Sequence, residues 1–276
     1  MQTLGFAKGH ATHNDFVILL DREAMTSVSA QTVRWLCDRR AGIGGDGLLR
    51  AVRSELIPEW HGDPSLWFMD YRNADGSIAE MCGNGLRLFV RYLIDQGLVD
   101  TEPVQVATRA GLREAWPYPD GRIKVSMGQA VVAEQPTWVE ADGHRYTATM
   151  VDVGNPHAVV RLDDIEALKT LDLTIAPIYD PADYPAGVNV EFIVPTSENE
   201  LAMRVFERGV GETQSCGTGV VASAAAQLDR LGAQATGMAV TVPGGTLKVD
   251  FDAEQAYLTG PAVVVAHGRV NLPKLG

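Results

Sequence analysis

The chain has 276 residues, which is enough for roughly one or two domains that each bury a hydrophobic core. Its 35 acidic residues outnumber its 23 basic ones, and the net charge of −12 argues against nucleic-acid backbones and anionic membranes as main partners. Hydrophobic residues make up 46% and charged residues 21%, which is typical of a soluble globular protein and excludes a disordered or fibrous one.

Cysteine usage and apolar run lengths indicate the compartment. Three cysteines, an odd and small number, exclude a secreted scaffold held together by disulfides. The start, M-Q-T-L-G-F-A-K-G-H, does not have the basic and long apolar regions of a signal peptide, and the longest apolar runs, such as 16–20 and 262–266, have only strand length. We therefore expect a cytoplasmic protein with reduced thiols and no membrane span.

The predicted elements are mostly short strands with alternating or β-branched residues, together with three helices. The first helix follows Ser29 and has apolar residues at i, i+3, i+4 spacing: Val33, Leu36 and Cys37. Strands are predicted at 66–71, 104–108, 123–127, 188–194, 202–206, 238–242 and 247–251. The other two helices have apolar residues at i, i+3, i+4, i+7 spacing, at Leu86, Phe89, Val90 and Leu93 and at Val221, Ala224, Ala225 and Leu228.

An internal repeat organises these elements. The strings M-C-G-N-G at 81–85 and S-C-G-T-G at 215–219 each precede one of the last two helices. A glycine follows 29 residues after the cysteine in both copies, at Gly111 (111 − 82) and Gly245 (245 − 216), and V-S-M-G and Y-L-T-G close the copies at Gly128 and Gly260. The repeat predicts two similar halves, one made of residues 1–126 and 261–276 and the other of residues 127–260.

The repeated cysteines, Cys82 and Cys216, are candidates for acid–base chemistry. Two similar halves related by an approximate two-fold axis place equivalent residues opposite each other at the seam, where ligand clefts commonly form. A helix N-terminus favours a thiolate and offers N–H groups to a carboxylate, and two neighbouring thiols settle as one thiolate and one thiol. Such a pair suits an epimerase that removes a proton from one face of a carbon and delivers one to the other. This chemistry requires neither a metal nor an organic cofactor.

The alternative for each cysteine is a structural role. Cys37 lies on the apolar face of its helix, away from the glycine pattern, and we expect it in the core. The duplicated context favours a functional role for Cys82 and Cys216. They are 134 residues apart (216 − 82), unlike the closely spaced cysteines of a C-x-x-C redox pair.

Longer strings closely resemble the diaminopimelate epimerase family. They cover essentially the whole chain in the family's order, at 6–16 (F-A-K-G-H-A-T-H-N-D-F), 71–85, 151–158 (V-D-V-G-N-P-H-A), 187–192 (G-V-N-V-E-F) and 204–219. The resemblance implies an α+β fold of two structurally similar, pseudo-symmetric domains, each a β-barrel-like sheet around a central helix, with the active site at their seam. It also implies cofactor-independent interconversion of LL- and meso-2,6-diaminoheptanedioate, for lysine and peptidoglycan precursors, by a homodimer.

The resemblance also implies roles for particular residues. Cys82 and Cys216 would be the acid/base pair, and His157 and Glu207 would tune or orient it. The reacting carboxylate would be held by Gly83, Asn84, Gly217 and Thr218. The other amino and carboxylate groups would be held, chiefly at the distal end of the substrate, by Asn14, Asn73, Asn155, Asn189, Glu207 and Arg208.

Three positions near these motifs have simpler interpretations. His157 follows Pro156 and is also compatible with a satisfied structural histidine. Asp46, in G-I-G-G-D-G, does not have the Lys-Ser/Thr of a phosphate loop, so a turn or capping role is expected. Gly47 stands where some members of the family carry a glutamine that contacts the ligand.

Two alternative functions remain open at this point. The first is a related two-thiol racemase that acts on proline or another small amino acid; Arg208 and Glu207 argue against it, because a substrate with a single amino-acid head does not need a distal clamp. The second is a binding protein or scaffold on the same fold, in which the cysteines would serve as redox sensors.

Overall fold

The computed structural model describes residues 3–100, 103–232 and 237–273. The chain divides into two compact units: unit 1 is Met1–Val125 with Gly260–Gly276, and unit 2 is Ser126–Thr259. Residues 1–2, 101–102, 233–236 and 274–276, which the predicted halves include, lie outside the described part. The chain passes from unit 1 into unit 2 within one strand and returns within another.

Strands outnumber helices, as the sequence predicted. In chain order the elements are β1 (Thr3–Ala11), β2 (Asn14–Leu20), α1 (Ala30–Cys37), β3 (Gly47–Arg53), β4 (Trp67–Asn73), α2 (Gly83–Asp95), β5 (Val104–Thr108), β6 (Gly111–Pro117), β7 (Arg122–Gly128), β8 (Val131–Val132), β9 (Thr137–Ala141), β10 (His144–Asp152), β11 (Pro156–Arg161), α3 (Ile165–Thr170), β12 (Ile178–Tyr179), β13 (Asn189–Ser197), β14 (Glu200–Glu207), β15 (Gly211–Thr213), α4 (Gly217–Leu231), β16 (Gly237–Val242), β17 (Gly245–Phe251), β18 (Ala256–Pro261) and β19 (Val263–Asn271). A short 3₁₀ helix covers Ser54–Leu56.

The main strands of the two units follow one plan. In unit 1 the order is β19-β1-β2-β3-β4-β5-β6-β7, with β2–β3 and β4–β5 parallel and the other neighbours antiparallel. In unit 2 the order is β9-β10-β11-β13-β14-β16-β17-β18, with β11–β13 and β14–β16 parallel and the others antiparallel. The series of strand directions is therefore identical, which confirms the predicted α+β fold with two pseudo-symmetric domains.

Each unit wraps its sheet around one helix. Helix α2 contacts β1, β2, β3, β4, β6 and β19, and helix α4 contacts β8, β10, β11, β13, β14, β16 and β17. A helix lying on a flat sheet touches only a few neighbouring strands, so contacts with strands across the sheet mean that the sheet curves around the helix. On α2, Leu86, Leu88, Phe89 and Leu93 are fully buried, each contributing about 1.5–3 kcal/mol of apolar burial.

The three predicted helices are confirmed, and their boundaries follow from their caps. The hydroxyl of Ser29 accepts a hydrogen bond from the backbone N–H of Thr32 and begins α1. Gly232, with φ +61°, ends α4 in the left-handed conformation that favours glycine. Helix α3 was not predicted, because it has six residues and only Leu168 is buried. Among the described residues, no helix is long and apolar enough to cross a membrane.

Cys37 occupies the apolar core of unit 1. It is 4% exposed and packs in a cluster with Val33, Leu36 and Leu48. Burial raises the pKa of its thiol to about 12. The prediction of a structural role for this cysteine is confirmed.

Candidate functional site

Cys82 is the N-cap of α2 in unit 1. Its backbone is extended (φ −146°, ψ 120°), and its Sγ accepts a hydrogen bond of 3.3 Å from the backbone N–H of Gly85. The N–H groups of the first turn and the positive end of the helix therefore lie beside the sulfur, an arrangement that stabilises a thiolate. The side chain of Cys82 is only partly buried.

Asn14 and Asn84 lie beside the sulfur of Cys82. In its protonated form Cys82 donates from Sγ to Oδ1 of Asn14 at 3.7 Å, and the same oxygen accepts a 3.3 Å hydrogen bond from Nδ2 of Asn84. The Nδ2 atom of Asn14 donates to the carboxylate of Asp46 at 2.9 Å. Asp46 therefore fixes the amide so that its oxygen points towards Cys82. The predicted turn or capping role misses this contact, because the loop that carries Asp46 is 32 residues from Asn14 in sequence.

A group of charged residues holds Asp46 in place. Arg39 donates to Asp15 at 2.6 Å and to Asp46 at 2.7 Å, and Lys8 also binds Asp15. Burial opposes ionisation of Asp15, but the hydrogen bonds from Arg39 and Lys8 outweigh it and lower the pKa. Burial, together with the charge of Asp15, raises the pKa of Asp46. The support of Asn14 is thus built from two cations, Lys8 and Arg39, that bind the carboxylates of Asp15 and Asp46.

Asn73 and Gly47 face each other in the register of β3 and β4. The Asn73 side chain donates to Ser77 at 3.0 Å and accepts from the Tyr71 hydroxyl at 2.8 Å, so it is held by its own turn. A Cβ atom at Gly47 would lie 2.7 Å from the carbonyl oxygen of Arg72. Close backbone packing therefore explains why this position carries glycine here.

Cys216 is the N-cap of α4 in unit 2, but its surroundings differ from those of Cys82. It is 7% exposed, and its Sγ lies 3.5 Å from the hydroxyl of Thr218. Burial raises its pKa well above the usual value, and the charges of Glu207 and Glu191 add to this effect. Hydrogen bonds from Thr218 and the backbone of Gly219 offset it only in part. The helix N-terminus does favour the thiolate of Cys216, but burial and the two carboxylate charges outweigh it, so the raised pKa keeps Cys216 a thiol at neutral pH.

A chain of hydrogen bonds leads from a buried carboxylate to Cys216. The Nδ1 atom of His157 is 2.7 Å from Oε1 of Glu191, and its Nε2 is 3.1 Å from Oδ1 of Asn155. Asn155 donates at 3.4 Å to the hydroxyl of Thr218, which contacts Cys216. His157 is thus a satisfied buried histidine, as its simpler interpretation stated, and it is also linked to the thiol.

Glu191 is the functional candidate that sequence reasoning missed. Its side chain is fully buried on β13, and its Oε2 has no hydrogen-bond partner among the described residues. The available signal was a single charged residue within the apolar run V-N-V-E-F-I-V, because a charge inside a buried strand requires a specific partner. That partner, His157, lies on the adjacent parallel strand β11.

The remaining predicted residues of unit 2 lie near the ends of β13 and β14. The Oδ1 atom of Asn189 accepts a 2.9 Å hydrogen bond from the backbone N–H of Arg208, and Glu207 accepts from the hydroxyl of Thr213. The Arg208 guanidinium donates at 3.0 Å to the carbonyl oxygen of Ala186. Gly83 and Gly217 are the first residues of α2 and α4, so each follows its cysteine directly.

Replacing the second glycine of each cysteine motif by alanine should affect the two units unequally. A Cβ atom at Gly219 would lie 2.5 Å from Oε1 of Glu191, whereas at Gly85 the nearest atom is Leu49 Cδ2 at 3.3 Å. We expect Gly219→Ala to displace Glu191 and lower the melting temperature by several degrees more than Gly85→Ala. Thermal unfolding of both variants measures this; equal losses would contradict the account.

Cys82 should react with iodoacetamide before Cys37 and Cys216 at pH 8. The thiolate is the reactive form, and burial raises the pKa of both Cys37 and Cys216. Because a raised pKa keeps the thiol protonated, both should react slowly at pH 8 and faster as the pH rises, while partly exposed Cys82 reacts first. Peptide mapping by mass spectrometry measures the order, with unfolded chain as the control. Earlier reaction of Cys216 would contradict the arrangement.

Comparisons with known proteins identify the family. The family model described as diaminopimelate epimerase matches residues 6–133 and 149–265. Among curated relatives, the diaminopimelate epimerase of Corynebacterium glutamicum is 44% identical over 98% of this chain and 99% of that protein. The diaminopimelate epimerase of Streptomyces coelicolor is 47% identical over 97% and 96%.

Solved structures show the same fold in more distant proteins. A probable proline racemase from Agrobacterium radiobacter has a TM-score of 0.72 at 15% identity, covering 99% of this chain and 94% of that one. A phenazine biosynthesis protein of the PhzF family from Bacillus anthracis has a TM-score of 0.69 at 16% identity, covering 99% and 100%. The residues that match the family model include both cysteine motifs and extend over most of the chain. The chain therefore belongs to the diaminopimelate epimerase family, and it is an isomerase.

Proposed function

We propose that the chain interconverts LL- and meso-2,6-diaminoheptanedioate by a two-base mechanism in which Cys82 and Cys216 act on opposite faces of one α-carbon. The observation that carries this proposal is the contrast between the two repeated cysteines. Cys82 is a partly exposed helix N-cap whose sulfur accepts a backbone N–H, and Cys216 is a buried thiol with a raised pKa. One thiolate and one thiol are the forms that the reaction requires.

The proton transfers follow from these two forms. The Cys82 thiolate removes the α-proton, the electron pair left on carbon is delocalised into the adjacent carboxylate, and the Cys216 thiol delivers its proton to the opposite face. Cys82 is then the thiol and Cys216 the thiolate, which is the state needed for the reverse direction. Exchange of protons with solvent restores the resting state. The backbone N–H groups in the first turns of α2 and α4, which begin at Gly83 and Gly217, are suited to hold the substrate carboxylate. They also stabilise the negative charge that develops on it when the α-proton is removed.

The polar residues that do not contact either cysteine are suited to bind the distal end of the substrate. We assign Arg208 to the distal carboxylate, because a guanidinium forms paired hydrogen bonds with a carboxylate, and Glu207 to an ammonium group. The amides of Asn14, Asn73, Asn155 and Asn189 supply neutral donors and acceptors to the amino and carboxylate groups. His157 orients the thiol of Cys216 through its hydrogen bonds to Asn155 and, from there, to Thr218.

The setting of the reaction is part of the same proposal. We infer that the active site combines the half made of residues 1–126 and 261–276 with the half made of residues 127–260. We infer further that the enzyme is a cytoplasmic homodimer that works without a cofactor and supplies lysine and peptidoglycan precursors. The family membership is the support for these assignments.

The function is tested by assaying purified enzyme on LL-2,6-diaminoheptanedioate without added cofactor, with L-proline in parallel. We expect formation of the meso isomer and no racemisation of proline, since proline has no group for the distal clamp. Turnover of proline but not of the diamino acid would favour the racemase alternative. Folded protein that turns over neither substrate would favour the binding-protein alternative.

A further inference from the structure

Arg87 is a fully buried guanidinium with neutral hydrogen-bond acceptors only. It is 0% exposed, and its Nη2 donates to Oδ1 of Asn84 at 2.8 Å and to the hydroxyl of Thr12 at 3.4 Å. Its Nη1 donates to the carbonyl oxygen of Gly83 at 3.4 Å, and its Nε has no hydrogen-bond partner among the described residues. A buried cation with only neutral acceptors requires a negative charge nearby.

The other charged groups on the elements that pack against α2 have hydrogen-bond or ion-pair partners other than Arg87, or they are exposed. On β1, β2 and the loop before β3, Lys8 and Arg39 bind Asp15 and Asp46. The remaining charged or titratable groups are His10 with the His13 backbone N–H, Arg50 with Asp21 and Asp70, Arg53 with the Ser65 carbonyl, Tyr71 with Asn73, Arg72 and Arg109 with Asp70, Arg113 with the Leu112 carbonyl, Glu114 with Gln105, and exposed His267 and Arg269 on β19. In the described part of the chain, none of these carboxylates forms an ion pair with Arg87.

Cys82 is the ionisable group next in sequence to the residues that Arg87 contacts. The guanidinium contacts Gly83 and Asn84, which directly follow Cys82, and Asn84 shares the Asn14 oxygen with the Cys82 sulfur. Burial lowers the pKa of Arg87 to about 10, and a negative charge on Cys82 opposes that effect. Arg87 therefore remains a cation at neutral pH, and an ionised Cys82 would stabilise that cation.

The internal repeat shows what the other copy carries at this place. Five residues after Cys216 stands Val221, a fully buried apolar residue, where Arg87 stands five residues after Cys82. Cys216 has the charges of Glu191 and Glu207 near it instead. The two copies of one motif thus surround their cysteines with opposite charge.

We propose that Arg87 is the counter-cation of a Cys82 thiolate and so determines which cysteine is ionised in the resting enzyme. The inference rests on the proposed function in assigning a reaction to that thiolate. Arg87 acts through Cys82 and its flanking residues, so it is a positioning residue. Nothing in its contacts requires that it touch the substrate.

The test measures the pH dependence of Cys82 alkylation by iodoacetamide, followed by peptide mapping, in three variants. We expect Arg87→Gln to raise the midpoint by about one to three pH units, because an opposite charge at close range shifts a titration by that amount. Arg87→Lys should stay close to the unsubstituted chain, since it retains the charge. Arg91→Gln is the matched control one turn further along α2, where Asp95 pairs with Arg91, and it should leave the midpoint unchanged.

An unchanged midpoint in folded Arg87→Gln, or an equal shift in Arg87→Lys, would overturn the inference. A second measurement does not depend on the folding of these variants. If Arg87 stabilises the thiolate, the unsubstituted chain has a higher free energy of unfolding than Cys82→Ser at pH 9. This difference is lost as the pH falls through the Cys82 midpoint. A pH-independent difference would contradict the proposal. Alkylation does not require turnover. If Arg87→Gln shifts the midpoint but the unsubstituted chain does not epimerise, the proposed function is refuted and the role of Arg87 is not.

Discussion

Substituting serine for Cys82 or for Cys216 should remove almost all epimerisation and leave the chain folded. A hydroxyl is too weak an acid to replace a thiol as proton donor, and it is not ionised at neutral pH to act as the base. Because positioned acid–base groups contribute about 10²- to 10⁴-fold each, we expect kcat to fall by at least about a hundredfold in each variant. Serine is a preferred N-cap residue, so both helices should keep their first turns. The formation of the meso isomer, followed by chromatography, measures the loss.

Cys37→Ala is the matched control for these substitutions. It removes the third thiol, which lies in the apolar core of unit 1. We expect it to lower stability by about 1 kcal/mol, through lost apolar burial, and to leave kcat unchanged. Full activity in either serine variant, or loss of activity in folded Cys37→Ala, would contradict the assignment of the acid–base pair.

Replacing Glu191 by glutamine should lower kcat and make Cys216 more reactive. The substitution keeps the shape of the side chain but removes the carboxylate charge that lies 2.7 Å from His157. Losing a charged hydrogen-bond partner in a buried site costs about 1–3 kcal/mol, which corresponds to roughly a ten- to hundredfold lower rate if the loss falls on the transition state. Because the charge of Glu191 raises the pKa of Cys216, its removal lowers that pKa and should speed alkylation at pH 8.

Glu200→Gln provides the control for the change of charge. Glu200 begins β14 in the same unit and is exposed to solvent. We expect no change in kcat or in Cys216 alkylation, because an exposed charge is screened by water and salt. If Glu191→Gln behaved like Glu200→Gln, the buried His157–Glu191 pair would have no part in the reaction.

The sequence predicted the parts of the site that local signals specify. The apolar spacing at Leu86, Phe89 and Leu93 predicted α2, and the glycines after each cysteine predicted that the cysteine precedes a helix. Structure and sequence agree at these positions because helix periodicity and N-cap position depend on neighbouring residues. The repeat extended this agreement to the architecture, since two copies of one motif at equal spacing require two similar halves.

The contacts that distinguish the two cysteines could not be predicted in this way. His157 meets Glu191 only because β11 and β13 are parallel neighbours, with His157 in register with Asn189. Asp46 meets Asn14 through a loop, and the pattern of α2 does not reveal that Arg87 is buried along with its apolar neighbours. Each contact depends on how distant segments pair, and neither residue spacing nor composition determines that pairing.

Deuterium incorporation during a single turnover in D₂O tests the two-base mechanism most directly. With enzyme in excess over LL-2,6-diaminoheptanedioate, the proton delivered to the product comes from a thiol equilibrated with solvent, while the removed proton stays on the other cysteine. The account predicts that the meso product carries deuterium at the inverted carbon and that unreacted substrate keeps its hydrogen. Return of the substrate hydrogen to the inverted carbon would show that one base acts on both faces, and it would contradict the roles of Cys82 and Cys216.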